Sequence, residues 1–138
     1  NGATDITGFG LIGHLKEMVN SSNLERKNKN FKKIRAIINL MALKTYPNVM
    51  ELIRKGVRST LHHGNKKIYR EIVDKEFNKR EIIFEAEDSL GKDQINDKVD
   101  LLLDPQTCGP ILISCQPKYE KYFKKNWHQI GRICDRDI

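Results

Sequence analysis

Residues Thr4-Asp5-Ile6-Thr7-Gly8-Phe9-Gly10-Leu11-Ile12-Gly13-His14 decide how this chain is read. Two hydroxyls flank a carboxylate, and two glycines stand directly before an apolar periodicity. Ile12, Leu15 and Val19 recur at three- and four-residue steps, with Lys16, Glu17 and Asn20 on the other side, which is the spacing of an amphipathic helix. Glycine lets backbone N–H groups approach a ligand closely and take positive φ. The start of a helix adds about half a positive charge, so phosphate is a natural occupant. A carboxylate would repel that phosphate unless a cation lay between them, and Mg²⁺ commonly fills the role with one or two carboxylates, phosphate oxygens and water. The same residues also have an ordinary structural use: Thr7 as a helix cap, Asp5 bonded to nearby backbone, the glycines in a tight turn.

Outward from this stretch, helices and short strands alternate. Ser21-Ser22-Asn23 ends the first predicted helix, and a charged connection follows over Glu25 to Lys33. Phe31, Ile34, Ile37 and Ile38 suggest a strand, with imperfect alternation that leaves a helix open. Pro47 suits the first turn of a helix striped by Val49, Leu52 and Ile53, and Gly56 can stop it. Arg58 to Asn65, with His62 and His63, reads as a loop, the two histidines as an exposed pair. Ile68, Tyr69, Ile72 and Val73 read as a short helix. Ile82-Ile83-Phe84 fits helix and strand equally. Gln94 to Leu103 reads as a helix that Pro105 stops at Asp104. Ile111 to Ile113 is a predicted buried strand, Tyr119, Tyr122 and Phe123 the inner face of a short helix opened near Pro117, and Ile130 to Cys134 a last strand. The fold expected is α+β: a single mixed α/β layered domain over residues 1–138, its sheet of short strands packed with helices.

Composition agrees with one globular domain. The chain has 138 residues, 38% hydrophobic and 31% charged, and no apolar run approaches the roughly 20 residues of a membrane span. No membrane association is expected, and the location expected is cytoplasmic. Three cysteines, Cys108, Cys115 and Cys134, form no C-x-x-C pair, which argues against zinc. Cys115 and Cys134 lie in apolar runs and are expected in the core. His14, on the first helix, is expected to be structural. The net charge of +7 is uneven: His14 to Arg70 holds fourteen Lys and Arg against three acids, while Glu71 to Asp104 holds five against eleven. The basic part suits phosphate or nucleic acid as well as a solvated lysine-rich face.

The string TDITGFGLIGHL closely resembles the TDVTGFGLLGHL signature of selenophosphate synthetases. Asp104-Pro105-Gln106-Thr107-Cys108-Gly109 resembles that family's DPQTSGG loop, and Tyr46-Pro47 through Gly56-Val57 is similar to its short helix ending in Gly-Val. The three lie in the family's order and approximate spacing, so the resemblance covers most of the chain. It implies the C-terminal domain of a selenide, water dikinase, of the ATP-binding two-domain superfamily shared with aminoimidazole ribonucleotide synthetase. That family makes selenophosphate from selenide, ATP and water, releasing AMP and phosphate, with Mg²⁺ and usually K⁺, and its full-length members pair through their N-terminal domains.

Carried onto this sequence, the resemblance implies a nucleotide-phosphate segment of Thr4, Asp5, Thr7, Gly8, Phe9 and Gly10, with Asp5 as an Mg²⁺ ligand. It implies no catalytic residue here, since the reactive Cys or selenocysteine and its Lys belong to an N-terminal segment that nothing in this sequence matches. The opening Asn1-Gly2-Ala3, without an initiator Met, is the expected start of a fragment or processed product. Such a fragment is expected to be inactive alone, because phosphoryl transfer needs several positioned groups together.

The chain departs from the family where Cys108 replaces Ser and Pro110 replaces Gly, which fixes φ and removes an N–H. Arg58 to Asn65 only faintly resembles the family's Pro-Gly-Gly-x-x-x-Asn loop, and the segment after Tyr119 is shorter than the family's ending. Two alternatives stand beside this reading. One is another ATP-dependent enzyme of the superfamily, such as a thiamine-phosphate kinase or a hydrogenase-maturation factor, against which the TGFG core and the DPQT loop argue. The other is a non-catalytic module binding RNA through Arg26 to Arg35, where Phe31 alone offers a stacking ring, so nucleic acid is not the expected partner.

Overall fold

The first strand, β1 (Gly2–Asp5), leads through a turn into α1 (Gly10–Asn28), and β2 (Ile34–Asn39) follows. Next come α2 (Val49–Arg54), α3 (His62–Val73), β3 (Ile82–Glu85), α4 (Lys92–Leu103), β4 (Ile111–Ser114) and β5 (Gly131–Asp135). The computed structural model describes residues 1–105, 110–123 and 126–136. The result is the expected mixed α/β domain, with two small sheets. β1 pairs antiparallel with β4, while β2 sits between a parallel β3 and an antiparallel β5.

One apolar cluster binds the elements together. Ile12, Leu15 and Val19 of α1 meet Ala36 and Ile38 of β2, Ile72 of α3 and Ile82 of β3. Val99, Leu102 and Leu103 of α4 complete it. Ile12, Ile72, Ile82 and Leu103 have no exposed surface, and burying each such side chain contributes about 1.5–3 kcal/mol. The three-residue steps on α1 and α4 and the two-residue step on β2 are the helical and strand periods that put these residues on one face.

α1 runs five residues past the expected stop at Asn23. A side chain free to bond its own backbone would favour a stop there, but Asn23 is buried and engaged elsewhere. Its Nδ2 donates to the Ile34 carbonyl at 3.0 Å and its Oδ1 accepts from the Ile34 N–H at 2.7 Å. The helix ends instead at Asn30, whose φ is 57°. There the Phe31 N–H reaches the Arg26 carbonyl and the Asn30 N–H that of Lys27, the paired bonds of a left-handed helix end. Gly56, with φ of 80°, closes α2 by the same pair of bonds, to Ile53 and Leu52. α2 itself starts two residues after Pro47, behind a left-handed Asn48.

The strand suggested by Ile34, Ile37 and Ile38 is present as β2, and the segment Ile82 to Phe84, which fitted helix and strand equally, is a strand as well, the two paired in register Ala36 to Ile82. Three other expectations are corrected. The expected loop Arg58 to Asn65 ends inside a helix, because α3 already begins at His62. Cys115 is exposed and Cys134 half-buried, so neither is a core residue. Tyr119 and Tyr122 lie on a 3₁₀ turn over Pro117–Tyr122, and both face solvent. Three residues per turn put them on one edge, each ring under a neighbouring lysine, Lys118 and Lys121.

Candidate functional site

The antiparallel β1–β4 pair brings the two informative stretches of sequence together. Asp5 stands opposite Ile111, and just beyond it the Ile6 N–H donates to the Pro110 carbonyl at 2.9 Å. Thus Asp5, where the first motif leaves its strand, lies beside the chain emerging from the second. Asp104 and Pro105 of that second motif cap the end of α4; Gln106, Thr107, Cys108 and Gly109 lie outside the described residues.

The turn from Ile6 to Gly10 rests on the end of α4. Gly10 is buried with φ of 65°, and a β-carbon there would fall 2.8 Å from the Leu102 carbonyl oxygen. Only glycine combines that conformation with that approach. Asn65, buried on the first turn of α3, fastens the arrangement. Its Nδ2 donates to the Gly8 carbonyl at 2.8 Å and to the Leu103 carbonyl at 2.9 Å. Sequence reasoning left Asn65 at the edge of a loop, although its spacing from His62, Tyr69 and Ile72 continues the helical period backwards.

Neither of the ordinary uses expected for Thr7 and Asp5 is realised. The Thr7 hydroxyl lies 3.0 Å from His14 Nε2. His14 Nδ1 is 3.3 Å from a Glu17 carboxylate oxygen, which can only accept. In the neutral ring Nδ1 therefore carries the proton and Nε2 accepts from Thr7. His14 is structural in this sense: it holds Thr7 away from the helix start. The cap position of α1 is held by Phe9, whose ring offers no capping oxygen, and there is no acid in the first turn. The N–H groups of Thr7, Gly8 and Phe9 have no acceptor among the described residues.

The Asp5 carboxylate is exposed and makes no hydrogen bond or ion pair with a described residue. The Thr4 hydroxyl donates to the Asp5 carbonyl at 3.1 Å. Phe9 is half-exposed, its ring centroid 5.7 Å from that of His14. Leu61, beside Gly8, and Ile111, opposite Asp5, are also more than half exposed. The site therefore presents one carboxylate, unsatisfied amide donors at a helix start and an apolar rim. Among the described residues no three His, Cys, Asp or Glu side chains come together to hold a metal. The donor set fits Mg²⁺ as one contributed carboxylate, since that ion takes the rest of its shell from phosphate and water.

A second charged group lies behind the turn. Asp100 of α4 accepts from Arg58 Nη2 at 2.5 Å and Nε at 3.2 Å, and its other oxygen is 3.3 Å from His62 Nε2. His62 is buried rather than exposed, and its Nδ1 has no partner among the described residues. Burial holds its pKa below the ordinary histidine value, outweighing the opposite pull of Asp100, with Arg58 and Lys66 adding to the depression.

In the basic stretch Arg26 to Arg35 three cations are engaged within the fold, while Lys27, Lys32 and Lys33 are exposed and form no ion pair with a described residue. Arg26 pairs with Asp135 at 2.9 Å and Lys29 with Glu25 at 2.6 Å. Arg35 is buried, donating to the Asn78 carbonyl. No described helix is long and apolar enough to cross a membrane.

No family model matches the chain. It is similar, however, to proteins named selenide, water dikinase over nearly all its length. Identity is 30% over 130 residues with that of Haemophilus ducreyi, covering 94% of this chain and 30% of the relative. It is 31% over 115 residues with that of Dechloromonas aromatica, covering 83% and 26%. It is 28% over 135 residues with that of Clostridioides difficile, covering 96% and 31%. The chain thus spans about 30% of the length of the curated relatives it matches. With both signature stretches present in order, the chain fits the C-terminal domain of the selenide, water dikinase (selenophosphate synthetase) family.

Proposed function

We propose that this chain supplies a Mg²⁺- and phosphate-binding segment to an ATP-dependent selenide, water dikinase and is catalytically silent by itself. The observation that carries the reading is the uncapped start of α1 beside the exposed, unengaged Asp5 carboxylate. Asp5 would hold Mg²⁺ on the ATP phosphates, together with carboxylates from an N-terminal domain of the longer protein. The ion, when bound, offsets phosphate charge as it develops during transfer.

The chain's own part is positional. The amides of Thr7, Gly8 and Phe9, aligned with the α1 dipole, favour an anion at the turn. The apolar rim of Phe9, Leu61 and Ile111 suits closure by another domain, which would exclude water. Phosphoryl transfer further requires a nucleophile-handling group and more metal ligands, and none is gathered here among the described residues.

The test is selenide-dependent release of AMP from ATP. The full-length protein should show it with Mg²⁺, and residues 1–138 alone should not. AMP release that is indifferent to selenide would favour another substrate within the superfamily. Turnover by the isolated chain would overturn the division of labour.

A further inference from the structure

We propose that Asn65 is the positioning residue that locks the Thr7–Gly10 turn to the end of α4, and so sets where Asp5 and the α1 amides meet a bound phosphate. The inference rests on the function proposed above and extends it to a residue outside the ligand-contacting turn. Both N–H groups of one amide are spent, on the carbonyls of Gly8 and Leu103 at 2.8 and 2.9 Å. The Gly8 carbonyl belongs to the first stretch that carries the family resemblance, and the Leu103 carbonyl is that of the last residue of α4, directly before the second. They are 95 residues apart in sequence by their numbers, 103 less 8. No other single side chain among the described residues hydrogen-bonds to both the turn and the end of α4.

Two features make this more than ordinary packing. The Gly10 contact with Leu102 and Leu103 is repulsive at short range, so it limits how near the turn can come. Asn65 supplies the attraction that holds the turn against that limit. Its own placement is rigid as well: it is 5% exposed and sits on a helix rather than a loop. A buried amide between two carbonyls is costly to remove, since both acceptors lose their partner.

Asn23 is a matched control. It too is buried and spends its amide on two backbone groups, those of Ile34, but it ties α1 to β2 rather than to the turn. In the full-length protein, Asn65→Ala should speed hydrogen exchange of the Ile6 and Gly10 amides, the two at the turn that have backbone acceptors, about tenfold, the effect of losing roughly 1.4 kcal/mol of local restraint. It should also lower kcat/KM for Mg²⁺-ATP by 10–100-fold, about the cost of removing a group that orients a ligand-binding one. Asn23→Ala should lower the melting temperature comparably, yet leave exchange at Ile6 and Gly10 and kcat/KM within about twofold. Asn65→Ser, which keeps one donor, substitutes if the alanine variant does not fold, and should give an intermediate loss. Equal effects of the Asn65 and Asn23 variants, or faster exchange with kcat/KM unmoved, overturn the proposal. The metal reading fails separately, through retained activity of Asp5→Asn, and the exchange result at the turn stands or falls without it.

Discussion

Gly10 lies so close to Leu103 that a β-carbon on it would sit 2.9 Å from the Leu103 carbonyl oxygen. The glycine is thus fixed by two demands together, a φ of 65° and the end of a packed helix against its face. Either demand alone would tolerate some adjustment. Together they make the Thr7–Gly10 turn the least substitutable part of the site.

Gly10→Ala should therefore destabilise the protein by about 2–4 kcal/mol, combining the left-handed backbone cost with overpacking against α4. Chemical denaturation of both forms measures this. A loss below about 0.5 kcal/mol, the range of ordinary surface substitutions, would mean that the turn can move off α4.

Stability should fall on mild acidification because of His62. Burial lowers its folded pKa below the unfolded value of 6.5. In the window below 6.5 the unfolded chain then binds the proton more readily than the folded one, so stability is full above that pH and drops as pH falls through it. Asp100, Arg58, Lys66 and Asp104 are the charges that act on the ring. Thermal melts from about pH 7.5 to 5.5 should show a smaller decline for His62→Gln than for the wild type. Parallel declines would assign the pH dependence to other groups.

RNA should not bind through Arg26 to Arg35. A true polyanion site releases counterions and loses affinity steeply with salt, but Arg26, Lys29 and Arg35 are engaged with Asp135, Glu25 and the Asn78 carbonyl, which leaves Lys27, Lys32 and Lys33 as the exposed cations of the stretch and Phe31 alone to stack. Filter binding should find affinity absent or flat across ionic strength. Tight binding with a steep salt slope would reinstate the module reading.

The helical stripes of α1 and α4 and the Gly56 stop were legible because apolar spacing and a positive-φ glycine leave local signatures. The strand at Ile34–Asn39 was legible only in outline and that at Ile82–Glu85 was undecided, since both depend on pairing with each other across the fold. Asn23 misled for a related reason: its side chain looks like a helix terminator until β2 arrives to satisfy it. At the site, Asp5 and the glycines stood out by type and spacing. His62 and Asn65 did not, because polar residues on the buried face of a helix interrupt the apolar pattern by which such a face is read. Cys115 and Cys134 had the apolar neighbours of core residues, but they lie where strands meet solvent.

The central claim, that Asp5 holds Mg²⁺ on ATP phosphates, is tested most directly by Asp5→Asn in the full-length protein, measured as selenide- and Mg²⁺-dependent AMP release at saturating ATP. The exposed side chain has no partner among the described residues, so the melting temperature should stay unchanged while the rate falls by about 10²–10³-fold, the usual cost of losing one charge-stabilising group. A rate within about threefold of wild type in a folded variant would contradict the account, because such a change is far below the loss of that stabilisation.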